Sequence, residues 1–289
     1  MLNPAPFSCI KIRFFALFEA AFRPELQILW EGCMKLSLLA SGSKGNCLFL
    51  ETDSCRLLID AGLSGRETLA RLSSIGVDAE TLDGILITHE HTDHVRGVGA
   101  LARRLKIPVL GASRMLQAAR HVIGRAELIE FDPGSPFVFK GLSIDPFPIT
   151  HDACDPVGFR IEGGEGCVGF ATDLGIATRL TQEKLKGCRA LVLEFNHDEQ
   201  MLQDGPYPWH LKQRIRSRHG HLSNAEGACL LEELLHSGLE GVFLSHLSEV
   251  NNDPSLAMAS ARGLLNSQNL CAPEVFLGCQ HVTSGVLDI

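Results

Sequence analysis

One short string limits what this chain can fold into more than anything else in it. The apolar run Gly84–Ile87 stops at Thr88, and His89-Glu90-His91-Thr92-Asp93-His94 then sets four metal-capable side chains within six residues. A buried strand ending in imidazoles and carboxylates cannot run on into a core, because such groups are costly to bury without partners. It has to emerge at a polar centre and turn there. In a tight turn alternate residues project to one side, so His89 and His91 can grip one ion. Asp93 and His94, one step on, can face a second.

Composition bounds the rest. With 289 residues, 45% of them hydrophobic and 21% charged, the chain can bury a large core. Intrinsic disorder and small disulfide scaffolds are excluded. A net charge of −8 excludes a strongly cationic, nonspecific nucleic-acid coat, but not a locally basic groove. The ten cysteines form no Cys-x-x-Cys pair and follow no secretory signal. They read as reduced core cysteines of a cytoplasmic protein. No apolar run reaches the roughly 18 residues of a membrane span. Residues 1–33 mix basic and apolar residues, broken by Glu19, without a small-residue cleavage site. They read as an upstream extension ahead of a natural start at Met34, with an amphipathic N-terminal helix as the alternative. Residues 34–289 read as a single domain.

Short apolar runs bounded by Gly, Ser, Asn and Asp predict strands at Lys35–Leu39, Cys47–Glu51, Leu57–Ile59 and Gly84–Ile87. Further strands are expected at 108–110, 137–139, 142–147, 157–161, 168–171, 190–194, 241–245 and 274–277. Helices are expected at Arg66–Ile75, Val95–Leu105, Ser113–Val122, Ala177–Lys186, through much of the stretch up to Leu235, and at Leu256–Leu265. Hairpin-rich strands in each half, with helices between, predict a four-layer αββα sandwich rather than a doubly wound parallel sheet.

The His-x-His-x-Asp-His string is the signature of the metallo-β-lactamase-fold hydrolases, and the chain resembles that superfamily over most of its length. The resemblance extends downstream. Leu142–Thr150 ends in His151, Val168–Ala171 in Thr172-Asp173-Leu174-Gly175, and Gly241–Leu244 in Ser245-His246. It implies one metal on His89, His91 and His151 and a second on Asp93, His94 and His246, with Asp173 bridging. It also implies that Asp60, closing Leu57-Leu58-Ile59-Asp60-Ala61-Gly62, sits behind the ligands and accepts a hydrogen bond from a ligand histidine or a loop amide. An all nitrogen and oxygen donor set suits Zn²⁺ or Mn²⁺. Two such ions imply hydrolysis by a metal-bridged hydroxide, with Asp93 part of the catalytic machinery.

Departures from other branches narrow the substrate. The β-lactamases usually carry Cys where Asp173 stands, and flavo-diiron proteins usually carry Glu where His91 stands. Too few residues separate Asp173 from His246 for the inserted domain of the β-CASP nucleases. The similarity is closer to the bacterial YycJ/WalJ branch, through Leu39–Asn46, Leu58–Gly65, Asp155–Phe159, Glu194–Asp198, Gly220–Asn224 and Ser245–Ser248 with Asn251-Asn252. That resemblance implies 5′→3′ exonuclease action on DNA.

Several of these segments have readings of their own. Ser43, Lys44, Gly45 and Asn46 form a polar loop, so Ser43 and Asn46 are candidates to touch substrate, against a plain hairpin turn. Ser223 is a candidate N-cap whose helix end, with Asn224, can receive a phosphate. His221 and His197 are candidate proton donors, and Asn196 a candidate substrate contact. His210–His221 holds four Lys/Arg and no acid, so it reads either as a nucleic-acid track or as a solvated helix face. The leading expectation is a dinuclear phosphodiesterase acting on DNA ends. The alternatives are a phosphodiesterase for cyclic or modified nucleotides, a thioester hydrolase, and a non-catalytic module that binds DNA ends.

Overall fold

The computed structural model describes residues 34–164 and 166–289, so the reading of residues 1–33 lies outside the described residues. Strands β1 (Lys35–Ala40), β2 (Cys47–Glu51), β3 (Arg56–Ile59), β4 (Gly84–Leu86), β5 (Val109–Ala112) and β6 (Leu128–Phe131) build one sheet. Strands β7 (Phe137–Phe139), β8 (Leu142–Pro148), β9 (Val157–Gly163), β10 (Gly166–Ala171), β11 (Ala190–Glu194), β12 (Gly241–Ser245) and β13 (Glu274–Leu277) build a second. The chain then returns to the first sheet, where β14 (Leu287–Asp288) pairs antiparallel with β1.

Each sheet has seven strands and one plan. Antiparallel pairing at one side, through β3 in the first sheet and β10 in the second, gives way to parallel pairing beyond it. Parallel strands need covered crossovers, and helices supply them. In chain order they are α1 (Gly65–Ser74), α2 (Thr92–Val95), α3 (Val98–Leu105), α4 (Ser113–Ala118), α5 (Arg120–Ile123), α6 (Arg179–Leu185), α7 (Glu199–Asp204), α8 (Trp209–Ile215), α9 (Asn224–Leu234) and α10 (Pro254–Asn266).

The layering shows in the period-two sorting of a fully buried strand. Along β11, Ala190 and Val192 join the core shared by the two sheets, whereas Leu191 and Leu193 join the core beneath the outer helices. On β12, Phe243 joins the first core, and Val242 and Leu244 the second. Both faces are covered, so these strands read as unbroken apolar runs. This is the αββα sandwich expected from the sequence.

Local differences have physical causes. The expected helix Val95–Leu105 is two helices, because Gly97 interrupts it. The Gly97 N–H reaches the Ala61 carbonyl at 2.8 Å, and a Cβ there would lie 2.2 Å from the Leu63 oxygen. The expected helix Ser113–Val122 likewise breaks, at Ala119. Strand β6 was not anticipated; only Phe131 of its four residues is buried, so it lacks the apolar run that marks a strand. Strand β14 is two residues long and has no pattern at all. All eight cysteines among the described residues are free, but only Cys47, Cys55 and Cys188 are buried, so the core reading holds for those three alone.

Candidate metal centre

The chemistry-bearing residues lie where strands end. Asp60 follows β3, Thr88–His94 follows β4, His151 follows β8, Asp173 follows β10, Glu194 closes β11 and His246 follows β12. Asp60, Asp173 and His246 have φ of 59°, 56° and 55°. Left-handed backbone costs a non-glycine residue about 1–2 kcal/mol. Here it turns three side chains out of their strand direction and into one centre. Gly62 makes room for the motif turn. A Cβ there would stand 1.5 Å from the Asp93 carbonyl oxygen, which accepts from the Asn46 N–H at 2.7 Å.

Four overlapping groups of side chains can each hold a metal ion: His89, His91 and His151; His89, His94 and Asp173; Asp93, His94 and His246; and Asp173, Glu194, His221 and His246. His94 Nε2 lies 3.2 Å from Asp173 Oδ2 and 3.5 Å from Asp93 Oδ2. His246 Nε2 lies 3.6 Å from Asp93 Oδ2, and His151 Nε2 lies 3.7 Å from Asp173 Oδ1. His91 Nδ1 and His151 Nε2 are 3.3 Å apart.

Four imidazoles are held by the ring nitrogen facing away from the centre. His94 Nδ1 donates to Asp60 Oδ2 at 2.7 Å, and His246 Nδ1 to Glu194 Oε1 at 2.9 Å. His151 Nδ1 donates to the Gly220 carbonyl at 3.2 Å. Thr88 Oγ1 donates to Asp60 Oδ2 at 2.8 Å, so it accepts from His89 Nδ1 at 2.9 Å. Each anchor takes the Nδ1 proton, so that Nε2 is the atom whose lone pair the neutral ring offers to the centre. His89 Nε2, His246 Nε2 and Asp173 Oδ2 are buried and meet no protein partner. Orphaned buried acceptors are costly in a folded protein. Unpaired lone pairs converging beside carboxylates are what divalent cations require, so the donor set fits them.

Charge follows this geometry. Burial opposes ionisation of Asp93 and Asp173, but neighbouring imidazoles hold both carboxyls well below the usual range: chiefly His94 for Asp93, chiefly His246 and then His94 for Asp173. Burial also pushes His246 down, yet Asp173, Asp93 and Glu194 raise it to about 10. His89, with burial and three neighbouring histidines against it, is driven well below its ordinary value and stays neutral.

Glu194 was not among the candidate site residues. It is fully buried, and its Oε1 accepts from both His221 Nδ1 (2.8 Å) and His246 Nδ1 (2.9 Å). Its Oε2 accepts from the N–H groups of Leu174 and Leu222. One carboxylate thus ties the Asp173 turn, the His221 segment and His246 together. A carboxylate ending an otherwise apolar strand was the sequence signal for it.

The substrate candidates divide. Asn46 is at the centre: its amide nitrogen lies 3.2 Å from Asp93 Oδ2 and 3.0 Å from His94 Nε2. Ser43 is exposed at the rim. His221 joins the cluster through Glu194, with its side chain 20% exposed. Asn196 is buried and donates to the His246 carbonyl at 2.8 Å, so it shapes a turn rather than facing substrate. His197 is 2% exposed and belongs to none of the ligating groups.

The helix-end reading needs correction. Ser223 is the N-cap of α9, but the cap is closed on itself. Ser223 Oγ accepts from the Glu226 N–H and the Ser223 N–H reaches Glu226 Oε2, a complete capping box. Asn224 pairs with the buried Asn252 amide, and its N–H reaches the His197 carbonyl. With the Glu226 carboxylate in place, this helix end is not free to receive a phosphate.

A family model for the β-lactamase superfamily domain matches residues 55–246, from just before β3 to the last histidine of the centre. The chain is 35% identical to the exodeoxyribonuclease YycJ of Bacillus anthracis, over 84% of this chain and 93% of that one. It is 38% identical to the exodeoxyribonuclease WalJ of Streptococcus pneumoniae, over 77% of this chain and 85% of that one. The chain belongs to the metallo-β-lactamase superfamily of hydrolases, in its YycJ/WalJ branch. The metallo-β-lactamase fold protein YhfI of Bacillus subtilis has the same fold, with a TM-score of 0.68 at 18% identity, covering 89% of this chain and 99% of that one. Among the described residues, no helix is long and apolar enough to cross a membrane.

Proposed function

We propose that this protein is a cytoplasmic 5′→3′ DNA exonuclease that hydrolyses phosphodiesters with two divalent ions, Zn²⁺ or Mn²⁺. One observation carries the reading. Four imidazoles, each anchored from behind, turn their Nε2 atoms toward the Asp93 and Asp173 carboxylates. In this reading His89, His91 and His151 would hold one ion and Asp93, His94 and His246 the other, with the Asp173 carboxylate within reach of both groups. Bound there, such ions make a water nucleophilic near neutral pH and offset the charge that builds on the phosphoryl oxygens.

The chain's own groups do the remainder. Asn46, donating toward Asp93, keeps that carboxylate turned to the centre. His221 is the proton donor to the leaving oxygen, in preference to His197. Glu194 accepts from its Nδ1, which fixes the ring and leaves Nε2 for the substrate. The names of the YycJ and WalJ relatives support DNA as the polymer, and the free cysteines support a reducing compartment.

The deciding experiment is a digestion. Protein with Mn²⁺ or Zn²⁺ is mixed with linear DNA labelled at its 5′ ends, beside an Asp93→Ala control. Early release of labelled mononucleotide by the unaltered protein alone is the expected result. Intact DNA with continued cleavage of a simple phosphodiester would discard the polymer and leave a small-molecule phosphodiesterase. Silence toward both substrates, across several metals, would leave a binding module.

A further inference from the structure

The segment 205–222 has no acidic residue, although the whole chain has a net charge of −8. It holds His210, Lys212, Arg214, Arg216, Arg218 and His219, and its first helical residue, Trp209, is 66% exposed. Trp209 is the one aromatic among the exposed large hydrophobic side chains of the described residues. An exposed indole forgoes the few kcal/mol its burial would be worth and presents a flat aromatic face to solvent.

The arrangement is ordered. Along α8 and its C-terminal cap residue Arg216, Trp209, Gln213 and Arg216 follow i, i+4, i+7 spacing and share a face. Ile215 is the buried residue that holds the helix to the body. Arg214 is turned the other way, to Asp152 at 2.6 Å, beside His151. Arg216 and Arg218 are exposed and make no ion pair within the described residues. The far end of the segment enters the metal centre, because the Gly220 carbonyl holds His151 and the next residue is His221. A basic, aromatic-tipped arm therefore starts in solvent and ends at the candidate proton donor. Helix α8, at seven residues, is about 10 Å long.

We infer that this arm is the track for a single DNA strand leading into the metal centre: Trp209 stacks one unpaired base, and Arg216 and Arg218 follow the phosphates. This rests on the proposed DNA-directed hydrolysis. The positive charge of Arg216 and Arg218, without an ion pair among the described residues, complements a polyanion, and a lone exposed aromatic face fits any unstacked base.

The test compares two substrates of the metal-loaded enzyme: a single-stranded oligothymidylate and bis(p-nitrophenyl) phosphate, which is too small to reach the arm. Trp209→Ala should raise KM for the oligonucleotide by roughly five- to 150-fold, the usual worth of one stacked base. Trp209→Phe should restore most of it. Arg216→Ala with Arg218→Ala should flatten the slope of log kcat/KM against log salt by about 1.4, near 0.7 per lost phosphate contact. Hydrolysis of the small diester should not change in any variant, which also shows that each is folded. Oligonucleotide digestion with unaltered KM and salt slope would overturn the track and leave the exonuclease reading standing. An unaltered enzyme that cleaves only the small diester would overturn both.

Discussion

Asp60 tests most directly whether the centre is held from behind. It is fully buried, and its carboxylate accepts three hydrogen bonds: the Thr88 N–H at 2.9 Å on Oδ1, and Thr88 Oγ1 at 2.8 Å and His94 Nδ1 at 2.7 Å on Oδ2. Asp60→Asn changes one oxygen into an NH₂ and keeps the shape. Asparagine tolerates left-handed backbone, so the φ of 59° adds no new strain. With the amide oxygen in the Oδ1 place, the NH₂ faces His94 Nδ1. The imidazole must then move its proton to Nε2, the atom needed at the centre. With the amide oxygen in the Oδ2 place, two donors collide at the Thr88 N–H. Either arrangement costs about 1–3 kcal/mol, which is roughly five- to 150-fold in metal affinity. That range agrees with the usual 10–100-fold effect of a group behind a metal ligand. Titration of metal-free protein against a competing chelator reads the affinity, and thermal unfolding with saturating metal confirms the fold. Hydrolysis should recover as metal is raised. An Asp60→Asn protein that binds metal as tightly as the unaltered one would refute the argument that His94 is oriented by this bond.

Metal binding should release protons at neutral pH. In the metal-free protein burial pushes His94 and His246 down, but the surrounding carboxylates outweigh it and keep both charged, His246 to about 10. Raised values mean that the protons are held below those values and expelled by the cation, so affinity should climb as pH rises toward 10. Calorimetric titrations in buffers of different ionisation heat would count the protons, and a count of zero at pH 7 would contradict this. Chelation should lower Tm by about 5–10 °C relative to protein holding metal at a hundredfold excess over Kd, with recovery on re-addition. Equal melting curves would mean that the orphaned atoms of His89, His246 and Asp173 do not face a cation. Gly62→Ala should be among the most damaging small substitutions, destabilising by about 3 kcal/mol or more in urea unfolding, because its methyl group would overlap the Asp93 carbonyl. A midpoint within error of the unaltered protein would show that the motif turn moves freely.

The amino-acid sequence by itself determined the part of this protein that local rules govern. The strands β2, β11 and β12 lie where their apolar runs were bounded, since a strand covered on both faces needs nothing but apolar residues. The His89–His94 string announced a metal centre because those residue types at that spacing have little other use. Ser223 was legible as a helix cap for the same reason: its bonds go to residues three positions away. Partners fifty residues distant were not legible. That Glu194 holds both His221 and His246 and that Asn196 props the His246 turn depend on which strand ends the two sheets bring together. No periodicity encodes those meetings. They follow from the sheets packing face to face, which sets the ends of β3, β4, β8, β10, β11 and β12 around one point and leaves each buried polar atom to find its partner there or meet a cation.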